Sequence, residues 1–202
     1  MSLLAMENVK IQLAPDLAIL IPNFNVSEGE IVSLVGRNGS GKTTALAAIL
    51  GLVPVYSGTI SFEGSGVAAA HPNVPINSAL TVKSFLHSVR KFKQVNESEM
   101  QRLQQGASVG TIEKRRISKL STGQHKKVEL VAALASISTR GCLLVLDEPT
   151  NGLDEKAVEW IEEELRYQRE RGVAIVICSH DEEFMQSLGA RRIDILRKDS
   201  VE

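Results

Sequence analysis

The chain has 202 residues, 43% of them hydrophobic and 23% charged, with a formal net charge of −1. That length allows one large domain or two small ones and can bury a core without disulfide staples. The near-zero charge excludes a global field drawing the chain onto nucleic acid or anionic lipid. No uncharged stretch reads as a membrane span, and the N-terminus has no basic segment followed by an apolar core to mark a secretory signal.

Residues 4–13 and 17–21 read as strands, and residues 30–35 as a third. The apolar part of the third, Ile31-Val32-Ser33-Leu34-Val35, runs into Gly36-Arg37-Asn38-Gly39-Ser40-Gly41-Lys42-Thr43. This is the phosphate-binding pattern G-x-x-x-x-G-K-[ST]. Its glycines let successive backbone N–H groups close around an anion. Lys42 can reach the β- and γ-phosphates, and the Thr43 hydroxyl can ligate Mg²⁺. From Thr44 an Ala/Leu-rich stretch, residues 44–50, propagates a helix, so phosphates would sit on a helix N-terminus.

Residues 59–62 are a further strand. Residues 64–82 carry Pro72, Asn73, Pro75 and Asn77 and read as a loop. Residues 82–119 are polar, charged and helical in pattern. They read as a helical subdomain inserted into an α/β core formed by residues 1–81 and 120–202. Next comes Leu120-Ser121-Thr122-Gly123-Gln124, in which Ser121 and Gln124 form an S-x-x-Q capping box. Val128, Val131, Ala132 and Ala135 continue an apolar helical face. Alone this is an ordinary helix start, and such a start is also an anion site. The basic residues around it, Lys114, Arg115, Arg116, Lys119, Lys126 and Lys127, read as a solvated face. No aromatics interleave them, so no nucleic-acid partner is expected.

Cys142-Leu143-Leu144-Val145-Leu146-Asp147-Glu148 is an apolar strand ending in two carboxylates. Such a strand delivers Asp147 to the sheet edge where α/β ligands bind, and there it can hold a Mg²⁺ shell. Glu148, one residue further, can contact an attacking water. Residues 155–171 form a helix with Val158, Ile161 and Leu165 on one face and Glu162 paired with Arg166. Residues 173–178 and 192–196 close the list of strands. Strands alternating with helices argue a parallel sheet with crossover helices. Cys142 and Cys178 read as buried free thiols at different strand heights, in a chain of cytosolic character.

These motifs, in this order, resemble the nucleotide-binding domain of ABC ATPases over nearly the whole chain. Residues 36–43 resemble Walker A, and residues 143–148 resemble Walker B with the catalytic glutamate. Leu120–Gln124 resembles the LSGGQ signature. Asn151-Gly152-Leu153-Asp154 resembles the D-loop, and His180 in Ser179-His180-Asp181 resembles the switch histidine. The resemblance implies a P-loop fold with a mostly parallel sheet, an N-terminal antiparallel β element and a helical subdomain. It implies hydrolysis of ATP with Mg²⁺ by two cassettes stacked head to tail. Each ATP would lie between Walker A of one chain and Ser121, Thr122, Gly123 and Gln124 of the other. Glu148 would polarise water, His180 would contact the γ-phosphate, and Asp154 would signal across the interface.

It further implies a transport subunit at the cytoplasmic face of a membrane, with separate transmembrane permease subunits. The short stretch after residue 196 resembles small cassettes that power exporters. The alternative is a soluble non-transport ABC ATPase, such as one serving iron–sulfur assembly. Three positions depart from the family pattern. Thr122 replaces a glycine of the signature. His71 falls where a glutamine is expected, as a site residue touching water or the Mg²⁺ shell or as a loop histidine. No aromatic stands in residues 12–16 to stack on adenine; Leu13 is the nearest candidate, and weak base selectivity is expected.

Overall fold

The computed structural model describes residues 2–14, 17–137 and 140–199. Five strands form an antiparallel sheet: β1 (Ser2–Ala14), β2 (Leu17–Leu20), β3 (Phe24–Ser27), β5 (Ser57–Phe62) and β10 (Leu196–Asp199). β1 is its spine and pairs with β2, β3 and β5. The second sheet is parallel throughout. It contains β4 (Ile31–Val35), β6 (Gly66–Ala70), β7 (Cys142–Asp147), β8 (Ala174–Cys178) and β9 (Arg191–Asp194), in the order β6-β7-β8-β4-β9. β7 and β8 are buried at every residue, which is why they read as unbroken apolar runs rather than alternating ones.

Among the described residues, six α-helices accompany the sheets: α1 (Lys42–Ile49), α2 (Val82–Phe92), α3 (Glu97–Gly106), α4 (Thr122–Ala135), α5 (Glu155–Glu170) and α6 (Glu182–Ser187). Each start from α2 on carries a side-chain cap. The Thr81 hydroxyl accepts from Ser84 N–H at 3.2 Å, and Asn96 Oδ1 accepts from Glu99 N–H at 2.7 Å. Between residues 82 and 119 there are two helices, two 3-10 turns and no named strand. This segment is joined to α5 by the Arg102 guanidinium, which forks onto Glu164 and Glu99. Close by, Gly106 lies against the Trp160 ring; a Cβ there would come within 2.2 Å of Nε1.

Several sequence expectations are corrected by the fold. Residues 66–70 are not loop but β6, the edge strand beside β7. Its sequence, Gly-Val-Ala-Ala-Ala, has weak strand propensity. The small side chains are there because α4 packs on the strand, with Ala68 and Ala70 buried. Residues 192–196 are not one strand. β9 ends at Asp194, buried Ile195 makes the turn, and β10 joins the other sheet alongside β2. β3 and α6 were not foreseen, being four and six residues long and too short for periodicity to register. Phe24 is buried in β3, facing the core rather than a ligand.

Candidate functional site

The P-loop leaves β4 at Val35 and enters α1 at Lys42. Gly41 has φ +101°, and a Cβ there would lie 2.2 Å from Ile19 Cδ1. Only glycine meets both conditions, so β2 braces the loop from below. The Lys42 ammonium donates to the carbonyls of Gly36 at 2.9 Å and Arg37 at 3.3 Å, folding the loop into a closed ring. Ser40 Oγ is buried inside that ring without a hydrogen-bond partner.

An open cleft of about 690 Å³ extends from this ring. Its lining includes Lys42, Thr43 and Thr44 from the P-loop side and Glu148, Asn151 and His180 from the loops after β7 and β8. Residues separated by more than a hundred positions thus meet because β8 pairs with β4 and β7 follows on its other side in the sheet. Glu148 has φ +47°, a left-handed conformation that costs a non-glycine residue on the order of 1 kcal/mol. The surroundings hold it there: its N–H donates to Cys178 O at 2.8 Å. Its carboxylate accepts from the His180 N–H at 3.2 Å and lies 3.3 Å from His180 Nε2. Cys178 is a buried free thiol, raised well above the usual thiol range by burial and then by the nearby Asp147 charge. Cys142 is also buried, in no disulfide and with its Sγ 3.4 Å from Ser65 Oγ, at the opposite end of its strand, so the expectation of two separate thiols holds.

Asp147 is buried at the end of β7. Together with the Thr43 hydroxyl it offers hard oxygen donors suited to Mg²⁺. His71, 1% exposed, stands behind them at the end of β6, with Nε2 4.0 Å from Asp147 Oδ2. Nε2 also lies 3.1 Å from the Thr43 carbonyl, and Nδ1 accepts from Asn73 N–H at 3.1 Å. The carbonyl can only accept, so the ring proton is on Nε2. Both nitrogens are engaged, and a metal could bind His71 only after one of these bonds is broken. The ring also lines a groove of about 270 Å³ on its other side, between β6 and the apolar face of α2 bearing Phe85 and Val89.

The Ser121–Gln124 turn is not brought to this cleft. Ser121 and Thr122 are exposed on a different part of the chain. The capping box is present in both directions: Gln124 N–H donates to Ser121 Oγ, and Ser121 N–H donates to Gln124 Oε1. The segment of residues 151–154 lies between turn and cleft, with Asn151 lining the cleft. A Cβ on Gly123 would come within 2.1 Å of Gly152 O, so this glycine is set by close packing of turn on loop. Thr122 reaches the same loop, its methyl 3.6 Å from where a Gly152 Cβ would stand.

The basic cluster is not uniformly a solvated face. Arg115 Nη1 donates to Gln124 Oε1 at 3.0 Å, and Nη2 donates to Lys119 O at 2.6 Å. The Lys126 and Lys127 side chains are only 13% and 16% exposed. Lys127 donates to Asp154 Oδ2 at 2.7 Å, and this bond, followed by one from Ala157 N–H, lowers the Asp154 pKa. Each lysine stands one turn before a buried residue. Lys127 precedes buried Val131 by four residues, and Lys126 precedes buried Leu130 by four.

Fold and cleft together define a P-loop nucleotide hydrolase, with a nucleotide seat at the C-terminal ends of a parallel sheet. The chain belongs to the ABC transporter family: a family model described as ABC transporter matches residues 21–151. It is similar to the lantibiotic transport ATP-binding protein SrtF of Streptococcus pyogenes, at 30% identity over 166 residues, covering 78% of this chain and 71% of the relative. The zinc import ATP-binding protein ZnuC 2 of Aliivibrio fischeri is 32% identical over 181 residues, covering 89% and 73%. Among solved structures, an ATP-binding subunit of an ABC transporter superposes with a TM-score of 0.82 at 22% identity, covering 96% of this chain and 86% of that one. The chain is thus an ABC-type ATPase, and its family binds ATP. Among the described residues, no helix is long and apolar enough to cross a membrane.

Leu13, at the outer end of β1, lines the cleft and is 50% exposed. Of residues 12–16, where an adenine-stacking aromatic was expected to be missing, Pro15 and Asp16 lie outside the described residues. An aliphatic side chain offers a purine apolar contact without ring stacking or a base-specific hydrogen bond. GTP is therefore expected to compete with ATP within about tenfold, or about 1.4 kcal/mol. Competition against labelled ATP at equilibrium measures this, and rejection of GTP by more than a hundredfold would show a base-specific contact.

Proposed function

We propose that this chain is the ATP-hydrolysing subunit of an ABC transporter, acting at the cytoplasmic face of a membrane on separate permease subunits. Two copies stack head to tail, so that each ATP lies between the P-loop of one and Ser121 of the other. The observation that carries this reading is the division of the site. Lys42, Thr43, Glu148 and His180 converge on one open cleft, whereas Ser121 is exposed elsewhere on the same chain. A second copy supplies the missing wall. In that site Lys42 binds phosphate oxygens and Glu148 orients and deprotonates the attacking water. His180 holds Glu148 and the γ-phosphate in register, and Ser121 with the Gly123 N–H caps the phosphate from the partner. Thr43 and Asp147 would hold a Mg²⁺, which would supply charge neutralisation at the phosphates. The relatives include zinc import and lantibiotic transport ATP-binding proteins, and they support a role in transport.

Light scattering of the Glu148→Gln variant tests the reading. A dimer that forms only with Mg-ATP is the expected result, and a monomer at saturating nucleotide overturns it.

We further infer that His71 links the groove beside α2 to the nucleotide cleft, since it lines the groove and its ring bonds the carbonyl of Thr43, which lines the cleft. The groove is the seat for a permease segment. His71→Ala removes the ring's two hydrogen bonds, to Thr43 O and from Asn73 N–H, at about 1 kcal/mol each, and should lower the melting temperature by a few degrees. Turnover per folded molecule should fall at least tenfold with ATP affinity retained. His71→Gln keeps a donor for Thr43 O and should recover most of the turnover. Normal turnover in folded His71→Ala would make the residue purely structural.

A further inference from the structure

The Ser121–Gln124 turn and the Asp147–Asp154 segment of one chain are fastened together at three points. Gly123 packs on the backbone of Gly152, with no room for a Cβ. Lys127 donates to Asp154 Oδ2 at 2.7 Å, while Asp154 Oδ1 caps α5 by accepting from Ala157 N–H at 3.0 Å. Lys126 donates to the Asp147 carbonyl at 3.1 Å and is held in place by Glu129 Oε2 at 3.3 Å. That carbonyl belongs to the peptide joining Asp147 to Glu148. Its orientation sets where the unusual φ of +47° aims the Glu148 side chain. Lys126 and Lys127 sit in the second turn of α4, on the order of 8 Å along a rigid helix from Ser121. A displacement at the helix start therefore reaches the Glu148 peptide with little loss.

We propose that Lys126 and Lys127 are positioning residues that tie the Ser121 turn of a chain to that same chain's Asp147, Glu148 and Asp154. This rests on the head-to-tail reading above. In such a dimer, Ser121 of a chain touches the ATP held by its partner, whereas Glu148 of that chain serves its own ATP. The two lysines join these roles within one chain. The state of the partner's nucleotide then sets the aim of the chain's own Glu148. Asp154, expected from sequence to signal across the interface, is held by its own signature helix, so D-loop and signature move as one piece.

The experiment uses mixed dimers, trapped with Mg-ATP and purified through two different tags. One chain keeps Glu148 and hydrolyses; the other carries Glu148→Gln. Lys127→Met, which keeps the aliphatic stem and removes the charge, is placed on either chain in turn. On the hydrolysing chain it is expected to slow phosphate release about tenfold. On the Glu148→Gln chain the change is expected to be under twofold. Lys126→Met should show the same asymmetry. Lys127→Arg on the hydrolysing chain should restore the rate, because a guanidinium still reaches Asp154.

A general weakening of the signature turn predicts the reverse, since the turn that faces the hydrolysed ATP belongs to the other chain. Equal loss from either position, loss only from the Glu148→Gln chain, or no loss from either overturns the proposal. If no mixed dimer forms with ATP, the head-to-tail reading itself fails, and this inference with it.

Discussion

Glu148→Gln is expected to convert a chain that cycles through dimers into one that stays dimeric with ATP. The amide keeps the shape of the side chain and can still accept a hydrogen bond from the His180 N–H, which the carboxylate accepts at 3.2 Å. It cannot take a proton from water. Removing a positioned general base typically slows turnover by about 10²–10⁴. The change also removes a negative charge from a cleft that must receive a polyanionic triphosphate, which eases closure of the two copies. The parent chain should be mostly monomeric, because ATP turns over and the dimer reopens. Size-exclusion chromatography with light scattering, with and without Mg-ATP, separates these cases. The companion change Ser121→Arg should abolish the dimer while leaving ATP binding intact, because Ser121 stands outside the cleft of its own chain. A Glu148→Gln chain that hydrolyses ATP at the parent rate would remove Glu148 from the chemistry altogether.

Lys42→Ala is expected to lose productive nucleotide binding. Its ammonium bridges the carbonyls of Gly36 and Arg37 and is the buried cation of the P-loop ring. A charge-assisted contact to phosphate is worth about 1.5–3 kcal/mol, so affinity should drop by roughly ten- to a hundredfold. The methyl group of alanine also releases the carbonyls that the ammonium gathers, so the ring loses its closure as well as its charge. Equilibrium binding of labelled ATP measures the loss. Unchanged affinity would mean that the Gly36–Thr43 loop is not the phosphate seat.

The P-loop, the acidic end of β7 and the capping box at Ser121 were legible in the sequence because each is a local pattern with a local cause. A glycine answers a backbone need, an apolar run answers burial on both faces, and a Ser/Gln pair answers orphan N–H groups at a helix start. These patterns fixed the fold class and the family. Local reading failed where a neighbour distant in sequence decides the outcome. β6 looks like loop because its alanines are chosen by α4, which presses on them from some sixty positions further along the chain. β9 and β10 look like one strand because nothing local says that Ile195 carries the chain from one sheet to the other. Lys126 and Lys127 look like solvated surface because their partners, the Asp147 carbonyl and the Asp154 carboxylate, arrive only when α4 docks on the sheet at β6.

The chemistry of each group was therefore set by sequence, but its company was set by packing. Which histidine proton points at Thr43, how Glu148 is aimed, and the separation of Ser121 from its own cleft all depend on contacts between distant elements. Such contacts cost chain entropy to bring together and leave no periodic trace in the residues that make them.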